Sequence, residues 1–174
     1  KRLFKHLGSK PIFLIVVDNL RYDQWKIIES DISKIFNVKN DDPYLAILPT
    51  TTEYSRNSLF SGLTPLEMSK KYPELWDNKS DGFNNKEFDF INKNLERHSL
   101  NIKHSYNKII SHSDGTKFSK KKSDLLKYDL NSIVFNFIDM MSHSSSENML
   151  FKNLAYDEKS FRSFTSSWFK NSPL

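Results

Sequence analysis

The sequence contains no cysteine and only four glycines among its 174 residues. Without cysteine, disulfides, thiolate metal sites, iron–sulfur clusters and cysteine nucleophiles are all excluded. The glycines form neither a G-x-G-x-x-G nor a G-x-x-x-x-G-K motif, so a Rossmann nucleotide loop and a Walker P-loop are absent. Any phosphate chemistry must therefore use a different binding element.

Long apolar runs are also missing. The longest, Ile12–Val17, is far shorter than the roughly 20 residues that a membrane-spanning helix needs, and the Lys-rich segment before it has no signal-peptide cleavage site. We therefore predict a cytoplasmic protein without a membrane segment. The formal net charge of +5 would attract anionic ligands such as nucleotides weakly and does not require a nucleic-acid partner.

Apolar patterning predicts alternating strands and helices. Ile12–Val17 is typical of a strand buried on both faces of a parallel sheet, and helical spacing follows over 20–36, with Asp18 or Asn19 as its N-cap. Further strands are predicted at 44–48, 100–104 and 132–138. Further helices are predicted from Thr52 to Gly62, near 66–70, over 86–98 and after 151, and surface loops over 105–127 and after Asp139. This order predicts an α/β fold with a mainly parallel sheet flanked by helices.

Polar segments follow three predicted strands, at the edge of the sheet where parallel α/β folds bind ligands. Asp18 follows the first strand, the threonines at 50–52 follow the second, and Asp139 with His143 follows the last. Carboxylate and imidazole donors suit zinc or manganese. A Thr hydroxyl at a helix N-terminus becomes a nucleophile when a divalent cation stabilises its alkoxide. The pattern favours metal-dependent phosphoryl transfer.

Each of these segments also has a purely structural interpretation. Asp18 alone would usually be a helix N-cap, and Thr50 with Glu53 satisfies the capping-box pattern. His143 alone in a Ser-rich loop would usually be a surface histidine. The other histidines are predicted to lie at the surface: His6, His98, His104 and His112. The joint occurrence of the three segments at strand ends favours the functional interpretation.

Three stretches of the sequence, LIVVDNLRYDQW, LPTTTEYSRNSLFSGLTP and VFNFIDMMSH, resemble the first two thirds of a PglZ domain, a branch of the alkaline phosphatase superfamily. They also resemble the C-terminal effector domains of PorX-type response regulators, which belong to the type IX secretion system of Bacteroidetes. The threonine stretch is similar to the nucleotide pyrophosphatase/phosphodiesterase pattern P-T-x-T-x-x-N, whose spacing to Gly62 places the nucleophile at Thr52. Ser55 stands where that pattern has its phosphate-binding Asn, and Arg56 is a second candidate for substrate contact.

The resemblance implies an alkaline-phosphatase-like domain with two Zn²⁺ ions, or Mn²⁺ in their place. Asp18 and Thr52 would bind one ion, and Asp139 with His143 the other. The family completes these sites with an Asp-His pair and a distal His, and no Asp-His pair occurs in this sequence. We therefore expect residues 1–174 to form one domain that is incomplete, with its final strands and ligands absent.

The implied function is hydrolysis of phosphodiesters of nucleotides or oligonucleotides, as the output domain of a two-component response regulator that controls type IX secretion. The expected partners are an upstream receiver domain, further signalling proteins and a second copy in a homodimer. One alternative is a catalytically inactive module of the same fold that binds a signalling partner. Another is a receiver-like phosphoacceptor domain, since Asp18 ends a first strand, although no second acidic residue adjoins it.

Overall fold

Three parallel strands form one sheet in the computed structural model, which describes residues 3–8, 10–76, 85–147 and 156–172. The strands are β1 (Ile12–Val17), β2 (His104–Ile109) and β3 (Leu130–Phe135). β3 lies in the centre, and the register places Leu130 beside Ile12 on one edge and beside His104 on the other. The predicted α/β fold with a parallel sheet flanked by helices is confirmed.

Seven α-helices lie within the described ranges. They are α1 (Tyr22–Ile32), α2 (Thr52–Ser61), α3 (Pro65–Lys71), α4 (Glu87–Arg97), α5 (His112–Lys121), α6 (Phe137–Glu147) and α7 (Glu158–Asn171). The described ranges also contain the 3-10 helices Leu3–His6 and Lys122–Lys127. The helices predicted from Thr52, near 66–70, over 86–98 and in the C-terminal region are confirmed, although residues 151–155 lie outside the described part. None of the helices in the described ranges is long and apolar enough to cross a membrane.

Helices cover both faces of the central strand β3. Its side chains alternate between two apolar clusters, one on each face. Leu130 and Val134 point into the larger cluster, where α2, α3 and α4 contribute buried side chains such as Phe60, Met68 and Phe90. Ile133 points to the opposite face and packs with Ile109 and Leu125. β3 is therefore covered on both faces, as is typical of a central strand in a parallel sheet.

Two buried polar side chains in this framework, those of Asn131 and Gln24, are satisfied by hydrogen bonds. Asn131 on β3 is fully buried, and its amide accepts a hydrogen bond from Ser105 Oγ at 2.6 Å and donates one to the Leu125 carbonyl at 3.0 Å. Gln24 of α1 donates to Thr165 Oγ1 of α7 at 3.1 Å, and both side chains are buried. These hydrogen bonds satisfy groups that would otherwise destabilise the fold, and the bond between Gln24 and Thr165 joins α1 to α7.

The prediction that β1 is buried on both faces is wrong for the described part of the chain. Leu14 and Val16 pack against the larger cluster, whereas Phe13 and Ile15 are 41% and 54% exposed. The apolar run identified the strand correctly. An unbroken run of apolar residues does not show how many faces are covered, because that depends on elements elsewhere in the chain.

Several predicted boundaries are also wrong. The segment 44–48 has no regular structure, and its Leu45 and Leu48 are 98% and 82% exposed. The strand predicted at 100–104 begins only at His104, and the one predicted at 132–138 spans Leu130–Phe135 instead. A short apolar segment becomes a strand only where a neighbouring strand pairs with it, and such pairing is not visible in local sequence.

The stretch 105–127, predicted to be a surface loop, contains most of β2, the whole of α5 and a 3-10 helix. A local pattern for α5 was present. Ser111 is its N-cap and accepts a hydrogen bond from the Asp114 backbone at 3.1 Å, while the Asp114 carboxylate accepts one from the Ser111 backbone at 3.1 Å. This reciprocal cap explains why a Ser- and Lys-rich segment folds as a helix.

Candidate functional site

A cleft of about 760 Å³ lies at the carboxyl end of β1, beside the start of α2 and the first turns of α6. Its lining includes all six residues that the sequence singled out: Asp18, Thr52, Ser55, Arg56, Asp139 and His143. They come from three separate stretches of the chain: two follow the neighbouring strands β1 and β3, and the third is the start of α2. The individual roles of these residues stay predictions.

Asp18 follows β1 directly, and its backbone N–H donates to the Phe135 carbonyl of β3 at 2.9 Å. The next residue, Asn19, has a φ of 58°, a left-handed conformation that Asn tolerates better than most residues. The chain therefore turns sharply after Asp18, and α1 begins later, with Arg21 as its N-cap. The N-cap predicted at Asp18 or Asn19 is wrong, and the Asp18 carboxylate is directed to other partners.

The N-terminus of α2 opens into the cleft. Thr51 is the N-cap residue, and its side chain makes no capping hydrogen bond. The capping box predicted for Thr50 and Glu53 is wrong, because the helix begins one residue later than that pattern requires. Helix N-termini carry unsatisfied N–H groups and a partial positive charge, so Thr52 lies where an anion would be stabilised.

Ser55 and Gly62 shape α2 at its two ends. The Ser55 hydroxyl donates to the Thr51 carbonyl at 3.0 Å, within the first turn of the helix. Gly62 ends the helix with a φ of 67°, and its backbone N–H donates to the Ser58 carbonyl at 2.8 Å. The predicted stop at Gly62 is confirmed, since this left-handed position suits glycine.

Arg56 lies one turn after Thr52 and is buried, with only 2% of its side chain exposed. Its Nη1 donates to Asp18 Oδ2 at 2.6 Å and to Asn136 Oδ1 at 3.0 Å. Its Nε donates to Glu87 Oε1. The guanidinium thus joins the ends of β1 and β3 to the start of α4, and its role as a substrate contact stays a prediction.

Glu87 is the first residue of α4 and is 1% exposed. Its second carboxylate oxygen accepts a hydrogen bond from the Tyr106 hydroxyl on β2 and lies 4.0 Å from Lys108 Nζ. Burial and the Glu87 charge raise the pKa of Tyr106, and burial lowers the pKa of Lys108. Sequence reasoning missed Glu87, because an acidic residue in the first turn of a helix is common for local reasons alone.

The electrostatics of Asp18 follow from its neighbours. Burial raises the pKa of its carboxyl group, Arg56 opposes that rise, and the negative charges of Asp139 and Glu87 add to it. Burial is the largest of these causes, so the raised pKa of Asp18 reflects mainly the loss of water around its carboxyl group, and the two neighbouring carboxylates add to the rise.

Asp139 and His143 lie on α6, not in the predicted loop. They are one helical turn apart, and His143 Nε2 lies 3.6 Å from Asp139 Oδ1. The histidine side chain is 74% exposed and lies at the rim of the cleft, while the carboxylate is more buried. The i, i+4 spacing itself is a helical signal that puts two side chains on one face.

The donor chemistry of the cleft fits a divalent cation. Its lining offers three carboxylates, from Asp18, Glu53 and Asp139, together with several hydroxyls and the imidazole of His143. A bound cation would favour the ionised form of Asp18, which burial disfavours. In the described part of the chain, no three His, Asp or Glu side chains come together as a metal-binding group. The predicted ligand pairs, Asp18 with Thr52 and Asp139 with His143, stay predictions.

Two histidines predicted to lie at the surface, His98 and His104, are partly buried. His104, at the start of β2, is partly buried and stacks on Phe88 with ring centroids 5.0 Å apart. Burial lowers its pKa. It lines a different depression, so it is not positioned to complete the pairs in the cleft.

Residues 2–170 match the family described as the BREX system PglZ alkaline phosphatase-like domain. No curated protein matches the sequence. The family match spans almost the whole chain and confirms the resemblance to PglZ domains. The chain therefore belongs to this PglZ family.

Proposed function

We propose that this PglZ-family chain carries a metal-dependent phosphoesterase site with Thr52 as its nucleophile. The observation that supports this most directly is the meeting of Thr52, Asp18 and Asp139 in one cleft, at a helix N-terminus whose N-cap side chain makes no capping bond. Helix N-termini bind phosphate through their backbone N–H groups. The alkaline phosphatase-like family supports the same chemistry.

In this proposal the substrate phosphoryl group lies against the first turn of α2. The Thr52 hydroxyl gives its proton to solvent and its oxygen forms a bond to phosphorus, while the bond to the leaving oxygen breaks and the leaving group takes up a proton from solvent. Water then cleaves the phosphorus–threonine bond and restores the hydroxyl. Divalent cations, when bound, would supply positive charge that favours the threonine alkoxide and offsets charge on the phosphoryl oxygens.

We further propose that the cations are two zinc ions, with manganese as the alternative. Mixed carboxylate and imidazole donors support this choice. Asp18 and Thr52 would contribute to one ion, and Asp139 and His143 to the other. Two donors each are fewer than zinc sites usually employ, which supports the proposal that residues 1–174 make up only part of the catalytic domain.

The proposed substrate is a phosphodiester of a nucleotide or oligonucleotide, hydrolysed in the cytoplasm. The resemblance of the threonine stretch to nucleotide phosphodiesterases supports it, and so does the net charge of +5. We propose an output role in a response regulator of type IX secretion, with an upstream receiver domain, signalling partners and a homodimer as its assembly. This role is supported by the resemblance of the three motif stretches to PorX-type effector domains.

A second candidate is a non-catalytic module of the same fold that binds a signalling partner. The ion pair between Arg56 and Asp18 favours it, because the guanidinium already provides the carboxylate with a positive charge. Zinc content separates the two candidates: about two ions per chain in the full-length protein supports the enzyme, and none supports the binding module.

The direct test is Thr52→Ala in the full-length protein, with hydrolysis of bis(p-nitrophenyl) phosphate as the assay. We expect the activity to fall by at least about 1,000-fold, because removal of a nucleophile eliminates the covalent route. Thr51→Ala is the matched control, since Thr51 lines the same cleft but makes no capping hydrogen bond. If Thr52→Ala keeps most of the rate, or if Thr51→Ala loses it instead, the assignment of the nucleophile is wrong.

A further inference from the structure

Asp18 is tied to a second buried carboxylate that lies outside the cleft. Arg56 bridges the two: its Nη1 donates to Asp18 and its Nε donates to Glu87. Glu87 and Arg56 are 1% and 2% exposed, whereas Asp18 is 14% exposed on the cleft side. The three side chains form a row of alternating charges that runs from the protein interior to the cleft, and we call it the Glu87–Arg56–Asp18 triad.

Glu87 is itself held in place on its far side. Its Oε2 accepts a hydrogen bond from Tyr106, whose ring packs edge-on against Phe60 of α2 with centroids 5.8 Å apart. Lys108 lies 4.0 Å from the same oxygen. The carboxylate is therefore oriented by β2 on one side and by Arg56 on the other, which leaves the guanidinium little freedom.

The Glu87–Arg56–Asp18 triad affects how fully the negative charge of Asp18 is offset. A guanidinium that is paired with one carboxylate alone would neutralise it and make it a poor ligand for a cation. Here one guanidinium pairs with two carboxylates, so its positive charge offsets the negative charge of Asp18 only in part. The same contact constrains the position of Asp18. Buried ion pairs add little to stability compared with apolar packing, so stability alone does not account for burying three charged groups here.

We propose that Glu87 is a positioning residue for the cleft, orienting Asp18 through Arg56 and preserving the negative charge with which Asp18 attracts a cation. This inference rests on the proposed cation-dependent function. Glu87 does not line the cleft, so it acts only through its neighbour. Residues that orient a metal ligand in this way typically change metal affinity or activity about 10- to 100-fold when replaced.

The test is Glu87→Gln in the full-length protein, measured as the dissociation constant for Zn²⁺ in competition with a chromophoric chelator. We expect zinc affinity to fall about 10- to 100-fold, because Arg56 would then pair with one carboxylate alone and would offset the negative charge of Asp18 more fully. Glu96→Gln is the matched control. Glu96 lies on the same helix, is 62% exposed and pairs with Lys93 at 3.0 Å, so its replacement should leave zinc affinity unchanged.

A second variant covers the case in which Glu87→Gln does not fold. Tyr106→Phe keeps the ring and the Glu87 charge and removes only the hydrogen bond to Glu87. We expect it to weaken zinc binding several-fold, and circular dichroism of the zinc-free proteins reports whether each variant is folded. Zinc affinity within about twofold of wild type in every folded variant would overturn the inference.

The outcome also separates this inference from the proposed function. If the wild type binds zinc and Thr52→Ala is inactive, but Glu87→Gln and Tyr106→Phe bind zinc normally, only the positioning role fails. If the wild type binds no zinc, the proposed function and the positioning role fail together.

Discussion

Replacement of Arg56 by Met should destabilise the protein strongly, because it leaves two buried carboxylates without their shared counter-charge. Asp18 and Glu87 would lose an ion pair each, and Asn136 would lose a hydrogen-bond donor. Removal of one partner from a buried ion pair costs about 3–5 kcal/mol. For a protein of this size that corresponds to a fall in melting temperature of roughly 6–20 °C.

The stability deficit of Arg56→Met should also depend on pH. Burial already raises the pKa of Asp18 above its ordinary value, and Arg56 opposes that rise. Without Arg56 the folded-state pKa of Asp18 rises further above its unfolded value. The penalty is therefore largest where Asp18 is ionised, and it shrinks as the pH falls through the raised folded-state pKa and the carboxyl group takes up a proton.

Urea unfolding of wild type and variant in parallel, at several pH values between 5 and 8, measures this difference. Arg162→Met is the control, since Arg162 is partly exposed and its pair with Asp23, at 3.3 Å, should contribute less than about 1 kcal/mol. A deficit below about 1 kcal/mol for Arg56→Met, or one that does not change with pH, would refute the argument that Arg56 compensates buried charge.

Two further predictions concern the C-terminal end of α2 and the pair of residues on α6. Gly62→Ala should lower the free energy of unfolding by about 1–2 kcal/mol, because Gly62 has a left-handed backbone and a Cβ there would lie 3.3 Å from the Asn94 side chain. Gly8→Ala is the control, since an added Cβ would have no atom within 4 Å, and it should change the free energy of unfolding by far less in the same urea titration. Asp139→Asn and His143→Ala should each lower zinc content by about one ion per chain in the full-length protein, measured by elemental analysis, and unchanged content in both would remove the pair from the metal site.

Local sequence was sufficient for much of the framework. The apolar run of β1, the left-handed glycine at the end of α2 and the helical spacing of α4 are short-range properties, because each depends on residues within a few positions of one another. The rule that ligands gather at the carboxyl ends of parallel strands correctly predicted that Asp18 and Asp139 line one cleft, whereas Thr52 reaches the same cleft after an irregular segment, not after the strand predicted at 44–48.

What the sequence could not determine depends on contacts between distant residues. The bounds of β2 and β3 follow from their pairing with each other, and the segment 44–48 stays irregular although its composition is apolar. Arg56 is separated by 38 residues from Asp18, by 31 from Glu87 and by 80 from Asn136. No local pattern predicts those contacts, and only the packing of α2 and α4 against the sheet made Arg56 a buried counter-charge for Asp18.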